Sequence, residues 1–298
     1  MSHTIPPKSP AGPEPSLRPV TVPDVLAAKG SGRKLVMLTA YDHPSARLLD
    51  DAGVDILLVG DSVGNNVLGY DSTLPVTMEE MLHHTRAVRR GTRRALVVGD
   101  MPYMSFQTGR RDAIRNAGRF LKEAGASAVK VEGGRKRADL VRALLDAEIP
   151  VMGHIGLTPQ SVHVMGGYRV QGRRVDQARA LVEDAVALAE AGVFSLVLEG
   201  MPETVGRSVT EAVGVPTLGI GAGRYCDGQV LVFHDLVGLG PGPLPRFARS
   251  YAAIGVEIAA AARRFAEDVR GGAFPSESEV YAAPTALGPA AARGGTGS

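Results

Sequence analysis

Short apolar runs recur along the middle of the chain, and they constrain the fold more than any other feature of the sequence. Several are rich in Val, Ile and Leu without alternating polar residues, which is the pattern of parallel strands buried on both faces. The eight runs are Leu35–Ala40, Asp55–Gly60, Ala95–Asp100, Ser127–Glu132, Pro150–Ile155, Phe194–Glu199, Val215–Ile220 and Gln229–Phe233. The sequence therefore predicts at least eight buried strands.

Helical patterns lie between many of these runs. Residues 177–191 repeat apolar side chains at the spacing of one helix face. Thr77, followed three residues later by Glu80, is typical of a capping box that opens a helix over 78–90. Eight strand and helix units in about 240 residues predict a (β/α)₈ TIM barrel. A doubly wound open sheet is the alternative that the same pattern allows.

The two ends of the chain differ from the middle in composition. Residues 1–19 contain six prolines and little apolar surface, and the last residues are rich in Gly, Ala and Pro. Such segments cannot bury enough apolar surface to offset the entropy of ordering them. We therefore predict a disordered tail over 1–19, one catalytic barrel domain over 20–272 and a flexible tail over 273–298.

Composition excludes several classes of protein. The 33 Lys and Arg residues nearly balance the 31 Asp and Glu residues, and aromatics are only 5%, which argues against a nucleic-acid partner. No apolar stretch is long enough to span a membrane, and the N-terminus has no apolar signal core. The single cysteine, Cys226, excludes an internal disulfide framework. These features predict a cytoplasmic protein without a membrane partner.

Polar residues stand where the predicted strands end. In a barrel these ends converge on one mouth, where active sites lie. One such residue alone is more often a helix cap or a turn residue, but carboxylates at equivalent ends of several strands point to a shared site. The residues are Asp61, Ser62, Asp100, Lys130, Glu132, His154 and Glu199.

Clustered carboxylates would repel one another in a partly buried mouth. A divalent cation removes that repulsion, and Mg²⁺ prefers one or two carboxylates with water and substrate in the other positions. Asp61 and Asp100 are the natural ligand pair. Lys130, inside a strand, is expected to face the barrel centre and to meet an anionic substrate. His154 alone fits a core histidine equally well.

The same residues lie in motifs that resemble the ketopantoate hydroxymethyltransferase family. The resemblance covers about residues 20–272, in order and with family-like spacing. Its motifs are 38–42 (LTAYD), 59–62 (VGDS), 71–77 (DSTLPVT), 100–102 (DMP), 130–134 (KVEGG), 153–160 (GHIGLTPQ), 166–172 (GGYRVQG), 198–199 (LE) and 219–223 (GIGAG). No single motif is specific, but together they are.

The resemblance implies a (β/α)₈ barrel of the phosphoenolpyruvate/pyruvate superfamily, usually a homodecamer. It implies a Mg²⁺-dependent enzyme that transfers a hydroxymethyl group from 5,10-methylenetetrahydrofolate to 3-methyl-2-oxobutanoate, giving 2-dehydropantoate for pantothenate and coenzyme A synthesis. By position, Asp61 and Asp100 resemble the metal ligands, and Glu132 lies close to the metal. Glu199 resembles the general base. The keto acid would be held by Ser62, Lys130 and His154 together with the metal-binding aspartates.

Two alternatives remain open on the sequence. One is a Mg²⁺-dependent 2-oxo-acid lyase of the same superfamily, which would cleave an aldol without folate. The other is a catalytically silent barrel that serves as a scaffold or a binding subunit. The second is disfavoured because all of the mouth residues are present.

Overall fold

The computed structural model describes residues 18–240 and 242–282. Most of the predicted N-terminal tail, residues 1–17, and residues 283–298 of the predicted C-terminal tail lie outside the described residues. The chain divides into two compact units, the first ending at Tyr251 and the second beginning at Ala252.

The first unit is built on a closed barrel of parallel strands, as the apolar runs predict. Each strand pairs with its neighbours in chain order, and the first pairs with the last. The strands are β1 Leu35–Thr39, β2 Ile56–Val59, β3 Leu96–Asp100, β4 Ala128–Glu132, β5 Val151–Gly156, β6 Ser195–Glu199, β7 Thr217–Ile220 and β8 Gly228–Leu231. The (β/α)₈ prediction is confirmed, and the open sheet is excluded.

Helices connect the strands of this unit. They are α1 Val22–Leu26, α2 His43–Asp51, α3 Met78–Gly91, α4 Arg110–Lys122, α5 Ala138–Asp146, α6 Val162–Met165, α7 Val175–Ala191, α8 Glu203–Ala212 and α9 Phe233–Val237. The predicted capping box is present, since Thr77 Oγ1 accepts from the Glu80 amide and the Glu80 carboxylate accepts from the Thr77 amide.

Each strand differs from its predicted run by one or two residues at one or both ends, and the last two strands do so for local reasons. The predicted run Val215–Ile220 begins as a strand only at Thr217, after Pro216, which has no amide hydrogen to donate to the ladder. The last strand begins at Gly228, and it ends at Leu231 because Phe233 opens α9. Neither difference moves a residue of the mouth.

The second unit carries one long helix, α10, over Ile254–Gly271. A ring contact between Phe265 and Phe274 ties the end of this helix to the segment after it. Among the described residues, no helix combines the length and the apolarity needed to cross a membrane.

Strand residues alternate between the barrel interior and the surrounding helices. The inward positions form one apolar cluster, with Met37, Ile56, Val98 and Met152 among its members. The outward positions pack with the helices in a second, larger cluster. At the carboxyl ends of the strands the inward positions become polar. A dry apolar interior therefore supports a charged layer at one end.

Strand register sets charged residues side by side in that layer. Asp100 on β3 pairs with Lys130 on β4, and Glu132 on β4 pairs with His154 on β5. Paired residues of neighbouring strands point to the same face of a sheet, and residues two apart on one strand do so as well. Pairing alone therefore brings these four side chains together inside the barrel.

Close packing at Gly99 supplies a test of this core. A Cβ on Gly99 would lie 2.3 Å from Cδ1 of the fully buried Phe120 in α4. We predict that Gly99→Ala lowers the free energy of unfolding by about 1–3 kcal/mol through overpacking, measured by urea denaturation. The matched control is Gly118→Ala in α4, where a Cβ meets nothing within 4 Å; it should stabilise by about 0.5–1 kcal/mol. Equal shifts in the same direction would contradict this packing.

Candidate active site

The structure brings all of the predicted site residues to one cavity. This cavity, which we call the mouth, has a volume of about 100 Å³ and lies at the carboxyl ends of the strands. Its polar lining comes from the segment after β2, from β3 and β4, and from β5 and β6. The predicted residues that line it are Asp61, Ser62, Asp100, Lys130, Glu132, His154 and Glu199.

Lys130 stands at the centre of the charges, as its position inside a strand predicts. Its ammonium Nζ lies 2.9 Å from Asp100 Oδ1 and 3.6 Å from Glu132 Oε1. These side chains are buried, with at most 4% of their surface exposed. Burial lowers the pKa of Lys130, but the surrounding carboxylates outweigh it, so its pKa lies above the ordinary value. The ammonium is therefore permanently charged.

His154 connects Lys130 and Glu132 to the far side of the mouth. Its Nδ1 lies 3.3 Å from Glu132 Oε1 and 3.2 Å from Lys130 Nζ, and its Nε2 lies 3.2 Å from Glu199 Oε2. Burial and Lys130 lower the pKa of His154, but interactions with Glu132 and Glu199 raise it to about 9. The raised pKa favours an imidazolium at neutral pH, and its two nitrogens lie 3.3 Å from Glu132 and 3.2 Å from Glu199 without regular hydrogen-bond geometry.

Negative charge accumulates at Asp61 and Asp100. Burial raises the pKa of Asp61 well above its ordinary value, and the charges of Asp100 and Glu132 raise it further. Burial also raises the pKa of Asp100, although Lys130 opposes that rise. For Glu132, burial raises the pKa, but Lys130 and His154 outweigh it and hold the pKa below the usual range. Asp61 is thus the carboxylate whose negative charge is least offset by nearby positive charge.

This donor set fits a hard divalent cation. Asp100 Oδ1 and Glu132 Oε1 are buried and accept no hydrogen bond of regular geometry in the structure. Across the described residues, no three His, Cys, Asp or Glu side chains form a ready ligand cage. Mg²⁺ is usually held by only one or two carboxylates, with water and substrate completing its shell. Asp61 and Asp100 match that requirement in charge and in oxygen chemistry.

Gln160 is a residue of the site that the sequence reasoning missed. Its side-chain amide donates to Asp61 Oδ2 and to the Met101 carbonyl, both at 2.9 Å, and its backbone amide donates to Glu132 Oε2 at 3.1 Å. It therefore fixes two of the carboxylates at once. Its position at the end of the 153–160 motif is a sequence signal for it. A glutamine at that position does not by itself predict a contact with Asp61, which follows β2.

Tyr41 is a second residue that the sequence reasoning did not assign. It is buried, and its hydroxyl lies 2.8 Å from Ser62 Oγ. Burial raises the pKa of Tyr41 to about 12, so the phenol remains neutral. Its backbone carbonyl also lies 2.7 Å from His84 Nδ1, which anchors the segment after β1 to α3. Tyr41 therefore sets the position of the Ser62 hydroxyl.

The model of the ketopantoate hydroxymethyltransferase family matches residues 19–277 of the chain. The chain belongs to the ketopantoate hydroxymethyltransferase family. Two similar relatives are named 3-methyl-2-oxobutanoate hydroxymethyltransferase. The one from Koribacter versatilis is 54% identical, over 89% of this chain and 90% of the relative. The one from Syntrophobacter fumaroxidans is 56% identical, over 88% and 93%. The predicted family resemblance is confirmed.

Solved structures agree with the family in fold. Phosphonopyruvate hydrolase superposes with a TM-score of 0.59 at 16% identity, covering 87% of this chain and 93% of that one. 2,3-Dimethylmalate lyase, a member of the PEP mutase/isocitrate lyase superfamily, gives 0.57 at 18% identity, covering 87% and 91%. This ketopantoate hydroxymethyltransferase family member therefore shares its barrel fold with these structures. The family match favours a hydroxymethyltransferase over the aldol lyase.

Protonation of His154 makes stability depend on pH. Its pKa rises from an ordinary value of 6.5 to about 9 on folding, so its contribution is fully present below pH 6.5 and is lost as pH rises through about 9. We predict that the unfolding free energy of the metal-free protein declines over this window relative to His154→Asn. Urea denaturation at stepped pH in a chelator measures it. Parallel pH curves for the two proteins would contradict the charged imidazolium.

Proposed function

We propose that this chain transfers a hydroxymethyl group from 5,10-methylenetetrahydrofolate to 3-methyl-2-oxobutanoate, giving 2-dehydropantoate and tetrahydrofolate. Membership of the hydroxymethyltransferase family supports this reaction. One structural observation carries the proposal. Under-compensated carboxylates, Asp61 and Asp100, stand beside the cations Lys130 and His154 in a mouth with room for a small oxo acid.

We assign Mg²⁺ to Asp61 and Asp100, with Glu132 next to it. When bound, the cation polarises the keto group and stabilises the negative charge that develops on its oxygen. The protein prepares this position by holding the carboxylates still. Gln160 donates to Asp61, and the Asp61 amide donates to Asp100 Oδ2 at 3.1 Å. Such second contacts orient metal ligands and tune their charge.

Ser62, Lys130 and His154 hold the oxo acid in this proposal. An ammonium has three donors, and Lys130 Nζ has Asp100 Oδ1 at 2.9 Å and His154 Nδ1 at 3.2 Å as neighbours, which leaves at least one donor for the substrate carboxylate. Tyr41 orients the Ser62 hydroxyl for the same task. His154 lies between Glu132 and Glu199 and faces the mouth. These groups fix the acid so that its C3 hydrogen lies near β6.

Glu199 is the general base of the proposal. It is the last residue of β6, and its side chain is 17% exposed, which is more than for the other carboxylates of the mouth. His154 Nε2 lies 3.2 Å from Oε2, and in this proposal Oε1 accepts the proton from C3 of the oxo acid. The resulting carbon nucleophile attacks the methylene carbon of the donor. As that bond forms, one bond from the methylene carbon to a donor nitrogen breaks, and water then displaces the second nitrogen and supplies the hydroxyl group. The protons released from C3 and from water go to the two nitrogens, and tetrahydrofolate leaves.

The proposal extends to a cytoplasmic homodecamer, which the family resemblance implies. Size-exclusion chromatography coupled to light scattering should give the full-length protein a molecular mass ten times the chain mass of 31.1 kDa. A monomer or dimer at working concentration would contradict the assembly.

Glu199→Gln tests the base. The variant keeps the shape of the side chain and its contact with His154, but it cannot take a proton. We therefore predict a kcat about 10²–10⁴-fold lower, with little change in oxo-acid binding. Steady-state kinetics and calorimetric binding of 3-methyl-2-oxobutanoate measure the two quantities. Glu203→Gln, in α8 outside the mouth, is the matched control. Turnover close to wild type in Glu199→Gln removes Glu199 from the mechanism.

Asp61→Asn and Asp100→Asn test the metal assignment. Each variant removes one negative oxygen ligand, so Mg²⁺ should bind at least about tenfold more weakly, the lower range for damage around a metal site. Calorimetric titration of Mg²⁺ into each protein measures this, with exposed Asp139→Asn as the control. An unchanged Mg²⁺ titration in both variants would reject the pair as ligands.

A further inference from the structure

The mouth is too small for both substrates of the proposed reaction. Its volume of about 100 Å³ suits a small oxo acid, whereas a folate carries a pterin, an aminobenzoyl ring and a glutamate. Pockets for ligands of that size measure roughly 300–1,000 Å³. Most of the donor must therefore lie in space next to the mouth.

A second cavity adjoins the mouth and shares a wall with it. It has a volume of about 280 Å³, and we call it the rim pocket. Glu132 and Gln160 form its inner wall, and Glu132 also lines the mouth. Tyr103 and Val164 form an apolar side, and Lys136 and Arg137 form a basic side. The rim pocket thus lies next to the mouth, with Glu132 between the two.

In the rim pocket, the Arg137 guanidinium is held in one orientation but has no carboxylate partner among the described residues. It stacks over the buried Phe106 ring at 5.1 Å from the ring centre, which fixes its orientation. Within the described residues, Arg137 Nε is buried without a hydrogen-bond partner. Burial lowers the pKa of Arg137, with no carboxylate contributing to counter it. A half-buried guanidinium that is held in one orientation and has no carboxylate partner among the described residues is suited to an anionic ligand.

The neighbouring Arg135 shows the opposite arrangement. It lies 2.8 Å from Glu183 and 2.8 Å from Asp184, so its charge is already matched. A larger cavity of about 380 Å³ lies beside Arg135 and includes Asp184 in its lining. Its Arg135 is thus already paired with carboxylates, and Lys136, which lines both cavities, does not distinguish between them. The position of Arg137 therefore favours the rim pocket as the site for an anionic ligand.

The apolar side of the rim pocket is exposed. Tyr103, Met104 and Val164 are 41%, 50% and 92% exposed. Met104 also adopts a φ of 66°, a left-handed conformation that costs energy for a residue other than glycine. Exposed apolar groups beside a prepared cation match a flat aromatic ligand that ends in a carboxylate.

We propose that the rim pocket binds the tail of the folate donor, with the aminobenzoyl ring against Tyr103 and Val164 and a glutamate carboxylate on Arg137. This inference rests on the proposed function. Lys136, on the same basic side, adds a second positive charge near the carboxylate. The pterin end, which carries the transferred carbon, then lies toward Glu132 and the mouth.

The test compares two probes, tetrahydrofolate and the methylamide of tetrahydropteroic acid, which keeps the aminobenzoyl amide but carries no carboxylate. Binding to the full-length Mg²⁺-loaded protein is measured by calorimetry. Wild type should bind tetrahydrofolate roughly 10- to 100-fold more tightly, the range for a charge-assisted hydrogen bond. Arg137→Met should remove that preference, and Arg137→Lys should restore part of it. Arg135→Met, the matched control, should retain it.

Tyr103→Ala tests the proposed contact between the rim pocket and the aminobenzoyl ring. It should weaken both probes by a similar factor, because both carry the aminobenzoyl ring. Equal affinity of wild type for the two probes overturns the inference even if Arg137→Met fails to fold, and so does an unchanged preference in a folded Arg137→Met. Binding of neither probe, with no folate turnover, overturns the folate donor itself. Folate turnover without the predicted preference overturns only the rim pocket.

Discussion

Buried negative charge at the carboxyl ends of β2, β3 and β4 is the constraint on which this molecule depends. Taking an ion out of water costs several kcal/mol even after the protein relaxes. Lys130 offsets part of that cost through Asp100 and Glu132. Among the described residues no cation lies as close to Asp61, and burial together with the charges of Asp100 and Glu132 raises its pKa. The barrel therefore holds a site whose buried negative charge is only partly compensated, as the proposed binding of a divalent cation requires.

The closed sheet makes this concentration of charge achievable. Strand pairing places Asp100 beside Lys130 and Glu132 beside His154, so favourable neighbours are set by the backbone. The apolar interior below them excludes water and supports the layer. His154 then joins Glu132 on one side of the mouth to Glu199 on the other. The group proposed to take the proton and the groups proposed to hold the acid are thus parts of one connected network.

Much of the fold and the site was predictable because both depend on local patterns. Buried parallel strands leave uninterrupted apolar runs, and the polar residue at the end of each run, such as Asp100 or Glu199, marks the mouth. Gln160, Tyr41 and Arg137 were not predictable in the same way. Gln160 matters because it spans from the end of β5 to Asp61. The role proposed for Arg137 depends on the pairing of nearby carboxylates with Arg135, which leaves Arg137 without a carboxylate partner among the described residues. Such contacts depend on tertiary distances that no periodicity encodes.

Proton exchange at C3 of 3-methyl-2-oxobutanoate in deuterated water, followed by proton NMR, tests the central claim most directly. It isolates removal of the hydrogen from the folate half of the reaction. The account predicts exchange in the Mg²⁺-loaded wild type, loss of exchange in a chelator and recovery when Mg²⁺ is returned in excess. Exchange at the full rate in the chelator would contradict the claim that the carboxylates at the mouth act through a divalent cation.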